Sequence, residues 1–456
     1  MDDLEDDFFI DTLSENDTEA VEYKVLSNLN IQQEGIERIE AILGLPRETV
    51  KRIYREWKFN IDRLIEDFMS NEKKVLEKSG VGTLQRGIAS CTICFEDDLD
   101  CASLDCGHFF CLTCYDQFIQ SKLSNGEFRI ECPQMKCSKV LLDCQVYELS
   151  PDSVDRYNQL TDNYFVDTAK HLKWCPAPNC EKIIECYFAA SSAKRIVPSV
   201  RCSCGNSFCF QCYMEDHSPL ICALALKWNK KSQDDSETIN WLNANTKDCP
   251  KCKAVIEKNG GCNHMTCKKC TFEFCWVCLG EWKIHNNNYS CNKYVNNEEA
   301  SESRQNLEKY IFYYSRFINH ERNIRLESEL LEKTEAKMEE IQVSTSLSWI
   351  EVQFYKKAVS ALSKCRNTLK WTYAFAYYLK KTNQTELLEN NQRDLEIAVE
   401  TLAELIELPI DTDNILRIRQ DIMNKSVYVE SRRVILKKHI LKGVADEIWP
   451  YSVSIK

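Results

Sequence analysis

Residues 249–291 read CPKCKAVIEKNGGCNHMTCKKCTFEFCWVCLGEWKIHNNNYSC, and the spacing of cysteine and histidine in this run decides how the segment folds. Ten of its side chains are candidate metal ligands: Cys249, Cys252, Cys262, His264, Cys267, Cys270, Cys275, Cys278, His285 and Cys291. Two tetrahedral zinc sites built from thiolate and imidazole need only about eight. Pairing the close couples assigns Cys249, Cys252, Cys267 and Cys270 to one site, and Cys275, Cys278, His285 and Cys291 to the other. Cys262 and His264 are then spare, directly after Gly260 and Gly261. A thiol displaces the thiolate of a thioester with little net energy change, so a spare cysteine can receive an activated acyl group and hold it for a second nucleophile. The glycines permit a tight turn and keep bulky side chains away from the sulfur. His264 is a candidate general base for a lysine ammonium, whose ordinary pKa of about 10.4 leaves little free amine near neutrality. Ligand counting leaves two other readings open: Cys262 as an idle buried thiol, or Cys262 or His264 in place of an assigned ligand.

Working outward, two further modules offer eight ligands each. The first consists of Cys91, Cys94, Cys106, His108, Cys111, Cys114, Cys132 and Cys137; the second of Cys175, Cys180, Cys202, Cys204, Cys209, Cys212, His217 and Cys222. Three modules of two sites predict six zinc ions. All but one of the 26 cysteines fall between Cys91 and Cys291, most of them in closely spaced pairs. That pattern indicates metal chemistry in a reducing compartment, not a disulfide scaffold. Cys186 is left over in the second module and is expected to pack as a small hydrophobe. Cys365 stands apart. The formal charge of -12 becomes more negative by roughly 9 once zinc-bound thiolates are counted, which argues against non-specific affinity for nucleic acid. With no run of about 18 apolar residues and an acidic N-terminus, the chain reads as soluble and unsecreted, with the cytoplasm as the default compartment and the nucleus as an alternative.

The 456 residues divide by composition. Residues 1–22 hold ten acidic side chains and no basic one, the composition of a solvated, disordered tail, with Phe8 and Phe9 as alternative partner anchors. Over 32–71 apolar residues recur at helical spacing: Ile36, Ile39, Ile42 and Leu43, then Val50, Ile53, Tyr54 and Trp57, then Ile61, Leu64, Ile65 and Phe68. Gly44 suits a helix stop, Pro46 the first turn of the next helix, and Asn60 an N-cap. A zinc module over 87–144 is followed by a predicted linker helix over 150–173, a second zinc module over 174–223, a polar linker over 224–244 read as flexible at 230–237, and the third module over 245–294. From 298 to 456 the pattern is helical. No glycine occurs between Gly280 and Gly443 and no proline between Pro250 and Pro409, while Trp349, Val352, Tyr355, Ala358, Val359 and Leu362 form one apolar face and Ala398, Val399, Leu402 and Leu405 another.

The order of the three modules resembles the RING-between-RING ubiquitin ligases: a RING finger, an in-between-RING domain and a smaller RING-like module. The runs Asn245–Cys252, Glu273–Gly280 and Ser348–Phe354 extend the resemblance, almost end to end, to the Ariadne group. The resemblance implies a multidomain protein of small zinc-stabilised α+β modules, flanked by an N-terminal three-helix bundle of ubiquitin-associated type and a C-terminal all-α Ariadne domain. It implies a cross-brace in the first module, with Cys91, Cys94, Cys111 and Cys114 on one ion and Cys106, His108, Cys132 and Cys137 on the other, and sequential sites in the second. It makes Cys262 the acceptor of ubiquitin from a conjugating enzyme, His264 the catalytic histidine, Glu273 an acidic assistant, and Ile93 an apolar contact for the conjugating enzyme. Ser138 stands where many one-step RING ligases carry an arginine, which favours transfer through Cys262. The C-terminal domain covers the catalytic cysteine in relatives, held by an aromatic and two acidic residues at the positions of Leu326, Glu327 and Glu400. This chain departs from that pattern at Leu326, a substitution expected to loosen the brake. The N-terminal bundle is implied to recognise neddylated cullin-RING ligases, which release it. Plainer readings are a surface charge for Glu273, a cover over the zinc loop for Ile93, and solvated helix charges for Glu327 and Glu400. A non-enzymatic zinc adaptor and a zinc-finger nucleic-acid binder are the competing functions; the favoured partners are a conjugating enzyme, ubiquitin and a protein substrate, without nucleic acid or membrane.

Overall fold

The computed structural model describes residues 22–26, 30–187, 196–234, 246–258, 262–287, 291–295, 301–344, 352–408 and 414–454, without side chains at 30, 31, 328–337, 340, 343 and 344. Residues 1–21 of the acidic tail, Gly260, Gly261 and Trp349 lie outside the described residues. Two compact units form, one from 22–187 with 202–206, the other from 196–201 with 207–454 among the described residues.

The first unit begins with a short strand, Tyr23–Leu26, antiparallel to Ile183–Cys186, which in turn pairs with Leu172–Trp174. The helices Asn30–Leu43, Arg47–Glu56 and Ile61–Ser70 follow, and a fourth, Glu72–Ser79, joins them. Gly44 takes a left-handed φ of 65° after the first helix, and its N–H bonds to the Glu40 carbonyl at 2.9 Å, which is why glycine stops the helix there. Pro46 precedes the second helix instead of sitting in its first turn, with ψ at 140°. Asn60 caps the third through the Arg63 N–H. Ile36, Ile39, Val50, Ile53, Leu64 and Phe68 form the core between these helices, each contributing roughly 1.5–3 kcal/mol by burial.

The first zinc module carries the sheet Gln85–Ala89, Leu99–Ser103 and Phe110–Cys111, packed on the helix Leu112–Ser124 through Cys101, Leu104, Phe110, Tyr115 and Ile119. The predicted linker helix is shorter than the 150–173 expected: it runs Val154–Thr168 after a single 3-10 turn, and the chain then becomes the strand Leu172–Trp174. Ala169 ends the helix in extended backbone, and sheet pairing claims the residues that follow.

In the second unit four long helices, Glu302–Ser344, Phe354–Tyr377, Asn383–Glu407 and Ile415–Ala445, bury Tyr355, Leu362, Leu369, Trp371, Leu395, Val399, Leu402, Leu436 and Ile440. The expected flexible linker is corrected in its first part: the helix Cys222–Asp234 includes 230–234, and the rest lies outside the described residues. Trp228 explains this, since it is fully buried with the rings of Tyr310, Tyr314, Phe317, Tyr377 and Tyr378 around it, the nearest centroid at 5.4 Å. Burying an indole of that size outweighs the polarity of the flanking lysines. Two hairpin sheets, Thr246–Asp248 with Val255–Glu257 and His264–Thr266 with Glu273–Cys275, build the third cysteine-rich module. Among the described residues no helix is long and apolar enough to cross a membrane.

Candidate active site

Among the described residues, the groups whose side-chain ligand atoms converge within 4.8 Å include Cys91, Cys94, Cys111 and Cys114; Cys106, His108, Cys132 and Cys137; Cys175, Cys180, Cys202 and Cys204; Cys209, Cys212, His217 and Cys222; and Cys249, Cys252, Cys267 and Cys270. Cys275, Cys278, His285 and Cys291 also interact with one another, with His285 Nε2 3.2 Å from Cys291 Sγ. The sulfur spacings test whether zinc fits. Cys94–Cys111 is 3.9 Å, Cys106–Cys132 3.7 Å, Cys175–Cys204 3.6 Å, Cys209–Cys222 3.6 Å and Cys249–Cys270 3.7 Å. A tetrahedron with Zn–S bonds of about 2.3 Å has edges of roughly 3.8 Å, whereas a disulfide needs about 2.05 Å. These clusters therefore suit zinc. Cys186 and Cys365 are fully buried, and so is Cys101, a cysteine the spacing pattern passes over, which donates to the Ala89 carbonyl at 3.3 Å.

Cys262 is placed in a different environment, 6% exposed and part of the apolar core of the second unit. The His264 N–H donates to its sulfur at 3.3 Å, and the thiol itself points at Glu404 Oε1, 3.8 Å away. Burial pushes the thiol well above its ordinary pKa, and Glu400 and Glu404 push in the same direction. The imidazole of His264 stacks on Trp282, ring centroids 4.2 Å apart and planes within 8°. Its Nδ1 is 3.2 Å from Glu404 Oε1 and its Nε2 3.4 Å from Glu273 Oε2, so Glu273 is close to the histidine across the hairpin, at an exposed rim. Burial lowers the imidazole pKa, but Glu404, followed by Glu273, outweighs it and raises the value.

The helices of the C-terminal bundle supply the walls. Glu400 is 3% exposed and accepts from the Asn263 backbone N–H at 2.6 Å and from Asn263 Nδ2 at 2.9 Å, while Arg366 Nη1 holds it from the other side at 3.0 Å. Arg366 Nε also donates to Glu327, 1% exposed. The plainer reading of Glu327 and Glu400 as solvated charges is thereby corrected: each is buried because a guanidinium meets it. Leu326 is half-buried on the same helix as Glu327. Asn319 Nδ2 reaches Asn263 Oδ1 at 3.1 Å, and Lys258 Nζ reaches Asn323 Oδ1 at 2.8 Å. Burial draws the Lys258 ammonium down to about 8, with Glu400 opposing. In the first unit Ile93 is exposed on its zinc loop, beside a still more exposed Phe95.

Sequence reasoning missed Lys258, Asn263, Asn319, Asn323, Arg366 and Glu404. One signal was available. Glu396, Glu400 and Glu404 repeat every fourth residue with no lysine or arginine four residues from any of them, and like charges at that spacing disfavour a helix unless something outside it pairs them.

Comparison with known proteins decides the family. A family model described as an Ariadne domain matches residues 308–440. One described as an IBR domain, a half RING-finger domain, matches 155–222, and another described as an IBR domain matches 244–296. The E3 ubiquitin-protein ligase dbl4 of Schizosaccharomyces pombe is 46% identical over 471 residues, covering 99% of this chain and 94% of its own. Ariadne-1 of Drosophila melanogaster is 38% identical, covering 96% and 92%, and human ARIH1 is 38% identical, covering 95% and 82%. The chain belongs to the Ariadne family of RING-between-RING ubiquitin ligases. As an Ariadne ligase it is an E3 ubiquitin transferase, and in this Ariadne ligase the segment matched by the 308–440 model is the one whose helices surround Cys262.

Proposed function

We propose that this ligase accepts ubiquitin from a conjugating enzyme as a thioester on Cys262 and passes it to a substrate amine, and that its C-terminal helices hold the resting protein inactive. The observation that carries the reading is the state of Cys262: a cysteine that belongs neither to the five clusters named above nor to the group of Cys275, Cys278, His285 and Cys291, two residues from a histidine, and buried by the C-terminal helices. In the first step the Cys262 thiolate attacks the thioester carbonyl, the conjugating enzyme's thiolate leaves, and the acyl group moves to the new sulfur. In the second the substrate amine attacks that carbonyl, Cys262 leaves as thiolate, and His264 takes the proton from the ammonium. Glu273, 3.4 Å from His264 Nε2, orients the ring and stabilises its charge.

Six zinc ions are proposed, the sixth on Cys275, Cys278, His285 and Cys291. They supply structure, since closed four-ligand sites leave no open position for a reacting group. The module boundaries 87–144, 174–223 and 245–294 follow these ligand sets, and 298–456 is the covering domain. Exposed Ile93 is the proposed contact for the conjugating enzyme. The N-terminal bundle of 32–71 is proposed as ubiquitin-associated type and as the site through which neddylated cullin-RING ligases activate the protein, in the cytoplasm or the nucleus.

Glu327 and Glu400 hold the cover through Arg366, with Leu326 beside them. Single-turnover transfer from a charged conjugating enzyme, run on non-reducing gels with the zinc-loaded chain carrying Glu400→Ala, tests the reading. A thiol-sensitive ubiquitin adduct is expected, and Cys262→Ser in the same background abolishes it or converts it to a reductant-resistant ester. An adduct unaffected by Cys262→Ser sinks the proposal, and so does the absence of any adduct from folded protein, which favours the adaptor.

A further inference from the structure

The row Glu396, Glu400 and Glu404 on the helix Asn383–Glu407 projects three carboxylates four residues apart, an arrangement that needs partners from outside the helix. Glu396 accepts from the Tyr373 hydroxyl at 2.6 Å, and Glu400 from Arg366 and Asn263. Glu404 differs from both. Its Oε1 lies 3.8 Å from the Cys262 sulfur and 3.2 Å from His264 Nδ1, so one oxygen touches both members of the acyl-transfer pair.

We propose that Glu404 is a chemical stop on that pair, acting in addition to the cover: its carboxylate holds Cys262 as the neutral thiol and occupies His264, so that the resting site is disarmed as well as hidden. The proposal rests on Cys262 being the ubiquitin acceptor. The attacking species in thioester exchange is the thiolate, and a carboxylate that accepts the S–H proton in a hydrogen bond stabilises the thiol against ionisation. Glu404 stands on the covering helix, so withdrawing that helix removes the carboxylate in the same movement and the site is exposed and armed together. The Glu404 side chain is 40% exposed, against 3% for Glu400. It therefore contributes little to packing, and its substitution leaves the bundle folded.

The test uses the full zinc-loaded chain as wild type, Glu404→Gln and Glu404→Ala. Iodoacetamide is applied in short pulses and Cys262 alkylation is read by peptide mass spectrometry, with the other cysteines as internal references. Glutamine fills the same space without the charge, so a stop of this kind predicts that both variants alkylate about tenfold faster at Cys262 than wild type, with an unchanged melting temperature and unchanged labelling elsewhere. Glu404→Gln behaving as wild type would mean that only steric cover operates, and slower alkylation would mean that Glu404 activates the sulfur; either overturns the proposal. Transfer from charged conjugating enzyme to the Glu400→Ala chain separates this from failure of the parent reading. Adduct there with no Glu404→Gln effect on alkylation sinks the stop alone, whereas no adduct there removes the acceptor role of Cys262 and with it the arming function, whatever the alkylation shows.

Discussion

Two buried arginines do opposite work in the two units. Arg55, on the second helix of the N-terminal bundle, gives both terminal nitrogens to Asp143, at 2.9 and 3.0 Å, and the Tyr157 hydroxyl closes the group by donating to the same carboxylate at 2.7 Å. Although burial opposes it, Arg55 holds the Asp143 carboxyl below the usual range. Arg366 instead divides itself between two carboxylates, Glu327 and Glu400. Glu400 stays below the ordinary value because Arg366, the Asn263 N–H and Lys258 together outweigh its burial. Glu327 does not: burial wins, its carboxyl is pushed up to about 7, and its Oε2 has no hydrogen-bond partner among the described residues. A buried ion pair with one acid for one guanidinium makes a permanent joint between the bundle and the first zinc module. One guanidinium shared by two acids, one of them bonded to the residue after Cys262, leaves the other acid short of a partner.

Stripping zinc is the bluntest way to break the comparison. Asp143 follows the last ligand of the first module closely, so chelation is expected to dissolve the Arg55 joint along with that module, while Arg366, Glu327 and Glu400 all belong to the metal-free helices and should persist. Limited proteolysis with and without chelator reads this directly, and loss of the C-terminal helices on chelation would contradict it. Next in size, Arg55→Ala leaves Asp143 buried and unpaired and is expected to destabilise the first unit by roughly 3–5 kcal/mol in urea melts, without altering Cys262 alkylation. Glu400→Ala should do the reverse, costing less stability but accelerating alkylation of Cys262 by roughly 5- to 150-fold, the usual span of a coupling between sites.

Glu327 also gives a pH dependence opposite in sign to that of Asp143 in the joint, whose lowered carboxyl loses its stabilisation as pH falls. Glu327 is raised in the fold, so between the unfolded carboxyl value of about 4.3 and about 7 the unfolded chain binds fewer protons than the folded one. Stability of the second unit is therefore highest below that window and falls as pH rises through it. Glu327→Gln should flatten this slope in melts at pH 5 and 7.5; an unchanged slope would assign it elsewhere. The smallest effect concerns Leu326. Restoring an aromatic ring by Leu326→Phe should slow Cys262 alkylation about threefold if ring contacts of the usual strength tighten the cover.

Much of the chain is legible in its sequence. Ligand spacing separated three cysteine-rich modules, and the absence of helix breakers after Gly280 marked the C-terminal bundle. The misses have physical causes. The strand Tyr23–Leu26 is stabilised by pairing with Ile183–Cys186 far along the chain, and the helix Cys222–Asp234 by rings that gather around Trp228. Neither leaves a local signature strong enough to read.

Cys262 illustrates where the boundary falls. That two of ten candidate ligands are spare follows from counting over a few dozen neighbouring residues, because a tetrahedral ion accepts four, and pairing the couples close in sequence points to Cys262 as one of them. What faces it does not follow from counting. Glu400 and Glu404 reach the site across 137 and 142 residues, and a glutamate on a helix reads the same in sequence whether it is solvated or buried against a guanidinium. Metal spacing is a local property of the chain; the partner of a buried charge is decided only when helices from distant segments pack.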